Sequence, residues 1–398
     1  MSRNEFTGSI EGISVFDQKP VLVEYRNGII SGIKPFTVDS GIENLPFIGP
    51  GLIDIQVNGY DGVSFSLEGA DHPSTKKLSV DAISKMTEEL WSQGVTSYFP
   101  TLTTNSHDLI IHNIKLLSEA INDPANLGSI PGIHLEGPYI SPVDGYRGAH
   151  PLTHVRPPDW QEMQDFNRTA QGKVLIITLA PETEGVIDFI GKCRENGITV
   201  SLGHHNGSAA EIHHAVEAGA RLSTHLGNGC ATNINRHRNP LWPQLAEDEL
   251  TICIISDSFH LPPEVLKVFY RVKGSAKIII TTDITSYAGL PAGLYRLKTG
   301  ETIEKAPNGH LRFSGQDGGL YGSATPMPEA LSHMMNVTGC SLSDIFTMAS
   351  VNPARLGNLN DRGSLEPGKR ADIILFSMEE GRMKIQKTVV GGKQVFEA

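Results

Sequence analysis

Between residues 51 and 356 a short apolar run followed by a longer connecting stretch recurs eight times, nearly every run closed at its carboxyl end by polar side chains. The runs lie at 52–57, 96–102, 129–135, 173–179, 199–203, 221–224, 250–256 and 277–282. Helical spacing of apolar residues marks 80–93, 108–121, 184–196, 209–218 and 263–272 between them, and 326–337 and 341–349 after the eighth. Short apolar runs alternating with amphipathic stretches are the sequence form of βα units around a parallel sheet. Eight such units in one closed sheet make an α/β fold of the (β/α)8 TIM barrel type, whose usual size of ~250 residues suits this span.

The two ends of the chain follow another rule. Residues 1–50 and 357–398 carry short β-rich runs (ISVFD, VLVEY, GIISGI; ADIILFS, MKIQKTVVGGKQVFE) broken by the turn signals Asn27-Gly28, Glu366-Pro367-Gly368 and Gly391-Gly392. They are expected to pair as a small β-sandwich domain beside a catalytic barrel of residues 51–356. No apolar run nears the roughly 20 residues of a membrane span, and MSRNEFTGSIEG lacks the apolar centre of a signal peptide, so a cytoplasmic location is expected. A formal charge of −11 argues against nucleic acid or an anionic membrane as partner. Cys193, Cys230, Cys253 and Cys340 show no CxxC spacing and suit reduced thiols.

In such a barrel, reactive groups belong at the carboxyl ends of the strands. The first run ends in Gln56 and Asn58, the third in Glu136, the fifth in His204-His205, the sixth in His225 and then Asn228-Gly229, the seventh in Asp257 and His260, the eighth in Asp283. A buried carboxylate or imidazole is costly unless paired or ligating. Any one of these histidines is more often a hydrogen-bonded core residue, but a ring of such groups at one end points to a site. Glu136, one of His204 and His205, and His225 make a His₂Glu set of the kind that binds catalytic zinc with one position open. Adjacent residues face opposite ways, so the choice between the two histidines stays open at this point. Asp283, ending KIIITTD, suits either a general base beside a metal or the N-cap of a following helix. In the loop NRHRNP, Arg236, His237 and Arg238 are the local basic patch; the arginine fork suits phosphate, and a solvated loop is the alternative.

The motifs PGLIDIQVNG, GVTSYFPTL, GIHLEGPYIS, VSLGHHNGS, THLGNG, DSFHL, TTDITSYAGLPAG and PGKRADIILF, in that order, resemble the amidohydrolase superfamily and, within it, the N-acetylglucosamine-6-phosphate deacetylases. The resemblance implies a barrel of the amidohydrolase type and hydrolysis of an acetamide on an amino sugar phosphate. It implies that Glu136, His204 and His225 hold one divalent metal ion per subunit, Zn2+ first with Fe2+ or Mn2+ as alternatives, His225 directly or through water. Asp283 then matches the catalytic aspartate and His260 the group that steadies the acyl oxygen. His150 and His260 match substrate contacts. Asn228, Gly229 and Arg238 match phosphate contacts, the arginine reaching the neighbouring active site of a homodimer. Two-metal relatives carry His-x-His where Gln56 and Asn58 stand; carboxamides are poor ligands beside imidazoles, so these two mark a vestigial second metal site. Departures (His225-Leu-Gly-Asn-Gly-Cys230, Arg147, Ile284, the loop 231–238) cluster near the expected phosphate pocket. They keep open a deacetylase of another N-acyl amino sugar or N-acyl amino acid; a separate alternative is an inactive scaffold of the same fold. The residues assign no role to His205, His237 or Arg236.

Overall fold

The structure, a computed structural model, describes residues 6–37, 45–66, 76–297, 300–315 and 319–398. All eight expected strands are present: Leu52–Val57, Val95–Thr103, Ile133–Glu136, Val174–Leu179, Thr199–Leu202, Leu222–Ser223, Thr251–Ile254 and Ile278–Ile280. They form one eight-stranded sheet in chain order, every neighbouring pair parallel. The third begins later than its apolar run suggests, at Ile133 rather than 129. The sheet closes on itself through a parallel bridge between Val57 and Ile284 and the Asn58 N–H to Ile284 carbonyl bond of 2.8 Å.

Inside the barrel Ile53, Ile55, Phe99, Ile176, Leu222, Cys253 and Ile279 pack into one apolar plug. The short helix Asn352–Leu356 closes its amino-terminal end: Asn352 donates to the Ile278 carbonyl at 2.7 Å, and the Leu356 carbonyl accepts the Thr199 hydroxyl at 2.6 Å. With that end sealed by apolar atoms, the opposite end is the one open to chemistry.

One helix follows each strand: Val80–Ser92, His107–Asn122, Trp160–Thr169, Val186–Glu195, Ala209–Ala218, Leu241–Ala246, Pro263–Lys273 and Met327–Thr338. The first shows why: Ser79 accepts the Ala82 N–H as N-cap, a contact of about 1 kcal/mol, and Ile83, Met86, Leu90 and Trp91 fall on one buried stripe. The third and sixth helices were not expected. Trp160–Thr169 buries only Met163 and Phe166, too few to mark a stripe, and Leu241–Ala246 contains Pro243, which reads as a breaker. The expected helix 341–349 is instead a short α segment, Leu342–Phe346, running into a π turn, Thr347–Val351.

The chain ends build a separate seven-stranded sheet, ordered Lys393–Glu397, Arg382–Val390, Ile373–Glu379, Phe47–Pro50, Gly8–Ser14, Pro20–Arg26, Ile29–Pro35. Early and late strands share one small core of Ile10, Val23, Ile30, Ile48, Ile373 and Val389. Phe47 and Phe346 stack on either side of Phe376, joining this sheet to the segment beside the barrel. A further antiparallel sheet, Gly293–Arg296, Thr302–Lys305 and Leu311–Phe313, follows the eighth barrel strand with its own apolar cluster around Tyr287, Tyr295 and Ile303. Nothing in the alternation of apolar runs announces it. Among the described residues no helix is long and apolar enough to cross a membrane.

Candidate active site

The polar ends of the strands converge as expected, and the backbone bends to achieve it. His204, His225 and Asp283 have φ of +52°, +26° and +52°. Left-handed backbone at a non-glycine residue costs roughly 1–3 kcal/mol and clusters at functional sites. Each strand thus stops where it delivers its side chain.

Three ligand-type atoms meet. His204 Nε2 and His225 Nε2 lie 3.2 and 3.0 Å from Glu136 Oε1 and 3.1 Å from each other, and all three residues are buried. The set fits a metal. His204 Nδ1 faces the Tyr146 carbonyl at 3.2 Å, which can only accept, so the proton sits on Nδ1 and the Nε2 lone pair points into the triangle. A tetrahedral ion with bonds of about 2.0–2.1 Å holds its ligands roughly 3.3 Å apart, close to these edges. Among the described residues this is the one such cluster. Burial alone would raise the Glu136 pKa, but the bonds and charges of His204 and His225 hold it well below the carboxylate range. Burial would likewise depress His225, yet the bond and charge of Glu136 and the charge of Asp283 lift it.

The geometry separates His204 from His205. The latter turns away, its Nδ1 accepting the Gly207 N–H at 3.1 Å, and burial pushes its pKa down to about 4. Asp283 is not a helix N-cap: among the described residues no helix begins between it and Met327. It lies among the cluster's charges instead, its pKa pushed up to about 7 by burial and by Glu136, against the lowering effects of His225, His260 and the Asn58 amide.

Gln56 and Asn58 face this site as strand alternation requires, and both donate to carboxylates. Gln56 Nε2 donates to Glu136 Oε1 at 2.8 Å and Asn58 Nδ2 to Asp283 Oδ1 at 2.6 Å. Asp257 accepts the N–H groups of Phe259 and His260 at 2.9 Å each and faces His260 Nδ1 at 2.7 Å, which fixes the His260 ring. His150 packs edge-on to His204, ring centroids 4.3 Å apart, and its Nδ1 faces the Thr104 hydroxyl at 2.8 Å and the Thr104 N–H at 3.4 Å. A backbone N–H can only donate, so Nδ1 accepts and Nε2 carries the proton; burial and the His204 charge push the pKa to about 3. Arg147 donates to the His150 carbonyl at 2.6 Å and pairs with Asp144.

Gly229 has φ +58°, and a Cβ there would stand 3.0 Å from His204 Nδ1 and 3.1 Å from His225 Cε1. The bare backbone is what lets this loop lie against both rings. Beside it the Asn228 amide nitrogen is a buried donor with no partner among the described residues. Arg238 is not brought to this site. It is exposed with Arg236 and His237 and makes no ion pair among the described residues; Asn235 Oδ1 accepts its N–H and that of His237 at 2.9 Å. Thr104, Asp54 and Thr282 escaped sequence reasoning because threonines and a mid-strand aspartate carry no spacing signal; DIQ and TTD were their traces.

The amidohydrolase family profile matches residues 47–395. The chain belongs to the amidohydrolase family. This amidohydrolase, a hydrolase of carbon–nitrogen bonds, groups with the N-acetylglucosamine-6-phosphate deacetylases. That of Bacillus subtilis is 32% identical over 334 residues, 83% of this chain and 80% of that protein. The Homo sapiens deacetylase is 31% identical over 361 residues, 88% of this chain and 84% of its own length. The crystal structure of the Thermotoga maritima deacetylase superposes with a TM-score of 0.84 at 26% identity, over 98% of this chain and all of that one.

Proposed function

We propose that this amidohydrolase deacetylates N-acetylglucosamine 6-phosphate, releasing acetate and glucosamine 6-phosphate in the cytoplasmic breakdown of amino sugars. One observation carries the reading: a buried His₂Glu triangle and an aspartate of raised pKa share the mouth of a barrel whose full length resembles deacetylases of that substrate. Residues 51–356 would be the catalytic domain and 1–50 with 357–398 its support.

Glu136, His204 and His225 would hold one divalent ion, Zn2+ before Fe2+ or Mn2+, a choice that suits mixed nitrogen and oxygen donors. Such an ion, when bound, polarises the acyl carbonyl and lowers the pKa of a coordinated water. Asp283 takes a proton from the attacking water; Asn58 occupies its Oδ1, which leaves Oδ2 for that proton. The same carboxyl returns the proton to the amine nitrogen as the C–N bond breaks. His260, whose ring Asp257 holds through Nδ1, steadies the acyl oxygen. His150 offers Nε2–H to a sugar hydroxyl. The Asn228 amide, the Gly229 N–H and Arg238 of a second subunit in a homodimer would receive the phosphate.

Acetate release from N-acetylglucosamine 6-phosphate and from plain N-acetylglucosamine tests this directly. A kcat/KM higher by roughly 10–100-fold for the phosphorylated sugar is expected from charge-assisted bonds to the anion. Equal rates would remove the phosphate from the reading, and no acetate from either sugar would remove the activity.

A further inference from the structure

Asp283 sits on left-handed backbone at φ +52°, a conformation a non-glycine residue keeps only where its surroundings over-determine it. The two residues before Asp283 are held by one carboxylate. Thr282 donates its hydroxyl to Asp54 Oδ2 at 2.5 Å and its N–H to Asp54 Oδ1 at 3.3 Å, while the Thr281 hydroxyl donates to Oδ1 at 2.6 Å. The Thr282 oxygen then accepts the Ile284 N–H at 3.1 Å, so a bond spans Asp283 from its predecessor to its successor. The Ile284 carbonyl takes the Asn58 N–H, which closes the barrel at the same point.

Asp54 also reaches the other half of the site. Its Oδ1 accepts the Gln56 N–H at 3.2 Å, and the Gln56 side chain donates to Glu136. Asp54 is 1% exposed, and its hydrogen bonds go to Gln56, Thr281 and Thr282 rather than to the ligand triangle or Asp283. An apolar pair could fill the seam between the first and eighth strands without burying a carboxylate. What the carboxylate adds is direction, because its lone pairs fix both threonine hydroxyls and the peptide N–H just before Asp283.

We infer that Asp54 is a positioning residue for hydrolysis: through Thr281 and Thr282 it sets the backbone that aims Asp283, and through Gln56 it keeps the amide on Glu136. The inference rests on the reading of Asp283 as the proton acceptor. Four variants of the metal-loaded full chain test it: Asp54→Asn, Thr282→Val, Thr282→Ser and Asp283→Asn, each with kcat, KM and metal content. Asp54→Asn and Thr282→Val are expected to lose roughly 10–100-fold in kcat, the usual cost of a lost outer-shell partner, with KM and metal content unchanged. Thr282→Ser keeps the hydroxyl and should run at the parent rate. Joining Asp54→Asn to Thr282→Val should add nothing to the larger single loss, because both break one linkage. Full kcat in Asp54→Asn, or equal losses in Thr282→Ser and Thr282→Val, overturns the inference, as does a loss in Thr282→Val that tracks KM or metal content. If Asp54→Asn does not fold, the Thr282 pair decides. An active Asp283→Asn would sink the reading of the base and this inference with it; a dead Asp283→Asn beside a fully active Asp54→Asn would sink the inference alone.

Discussion

The ligand cup and the loop after the sixth strand are neighbours along the chain and opposites in construction. In the cup Glu136, His204 and His225 are 4%, 7% and 4% exposed, and the atoms around them are tied: Gln56 to Glu136, Tyr146 to His204, Asn58 to Asp283. In the loop Arg236, His237 and Arg238 stand in solvent, shaped by backbone bonds to Asn235 and by the Trp242 indole donating to the Arg236 carbonyl at 2.9 Å. The cup is complete within one chain. The loop's charges meet no ion-pair partner among the described residues. On the proposed reading, bond cleavage rests on buried, hydrogen-bonded groups and substrate choice on exposed ones, and the two should fail separately.

Metal removal should give the largest effect. Chelation should abolish acetate release and added Zn2+ restore it, as the cup requires and the loop does not; activity that survives with no metal by elemental analysis breaks the contrast. Asp283→Asn comes next, with a fall in kcat of roughly 10²–10⁴ at unchanged metal content, the range of a lost general base. Arg238→Ala should cost about 1.5–3 kcal/mol of binding, roughly 10–100-fold in kcat/KM for the phosphorylated sugar, and narrow its lead over the plain one. The same loss for both sugars would place the loop inside the chemistry.

The smallest effect is on pH dependence. Asp283 accepts a proton only when ionised, so activity should fall as pH drops through its pKa. Without metal that pKa stands at about 7, raised by burial and by Glu136; a bound cation lowers it, so the acid limb of kcat/KM should lie below pH 7. Asn58→Leu removes a bond that favours the carboxylate and should move the limb upward; an unmoved limb would free Asn58 from any part in setting the base.

Much of this was legible in the sequence because burial leaves a periodic record. Strand cores are apolar and their ends polar, so the eight units and Glu136, His225 and Asp283 could be placed before any coordinates. Choosing His204 over His205 took the family resemblance, since parity fails where the backbone turns left-handed. The helix Trp160–Thr169 and the sheet starting at Gly293 bury too little per residue to leave a period. Asp54 was invisible for another reason: its partners Thr281 and Thr282 lie more than 200 positions away, a pairing that only closure of the barrel creates.

The sheet that joins Phe47–Pro50 to Ile373–Glu379 imposes an order on biosynthesis. Phe47–Pro50 must wait for a partner made long after it, while the whole cylinder between them emerges and folds. Until Ile373 pairs with Pro50, that early edge is open to any passing strand, so newborn chains should depend on shielding by chaperones while Phe47–Pro50 is exposed and Ile373–Glu379 is still to come.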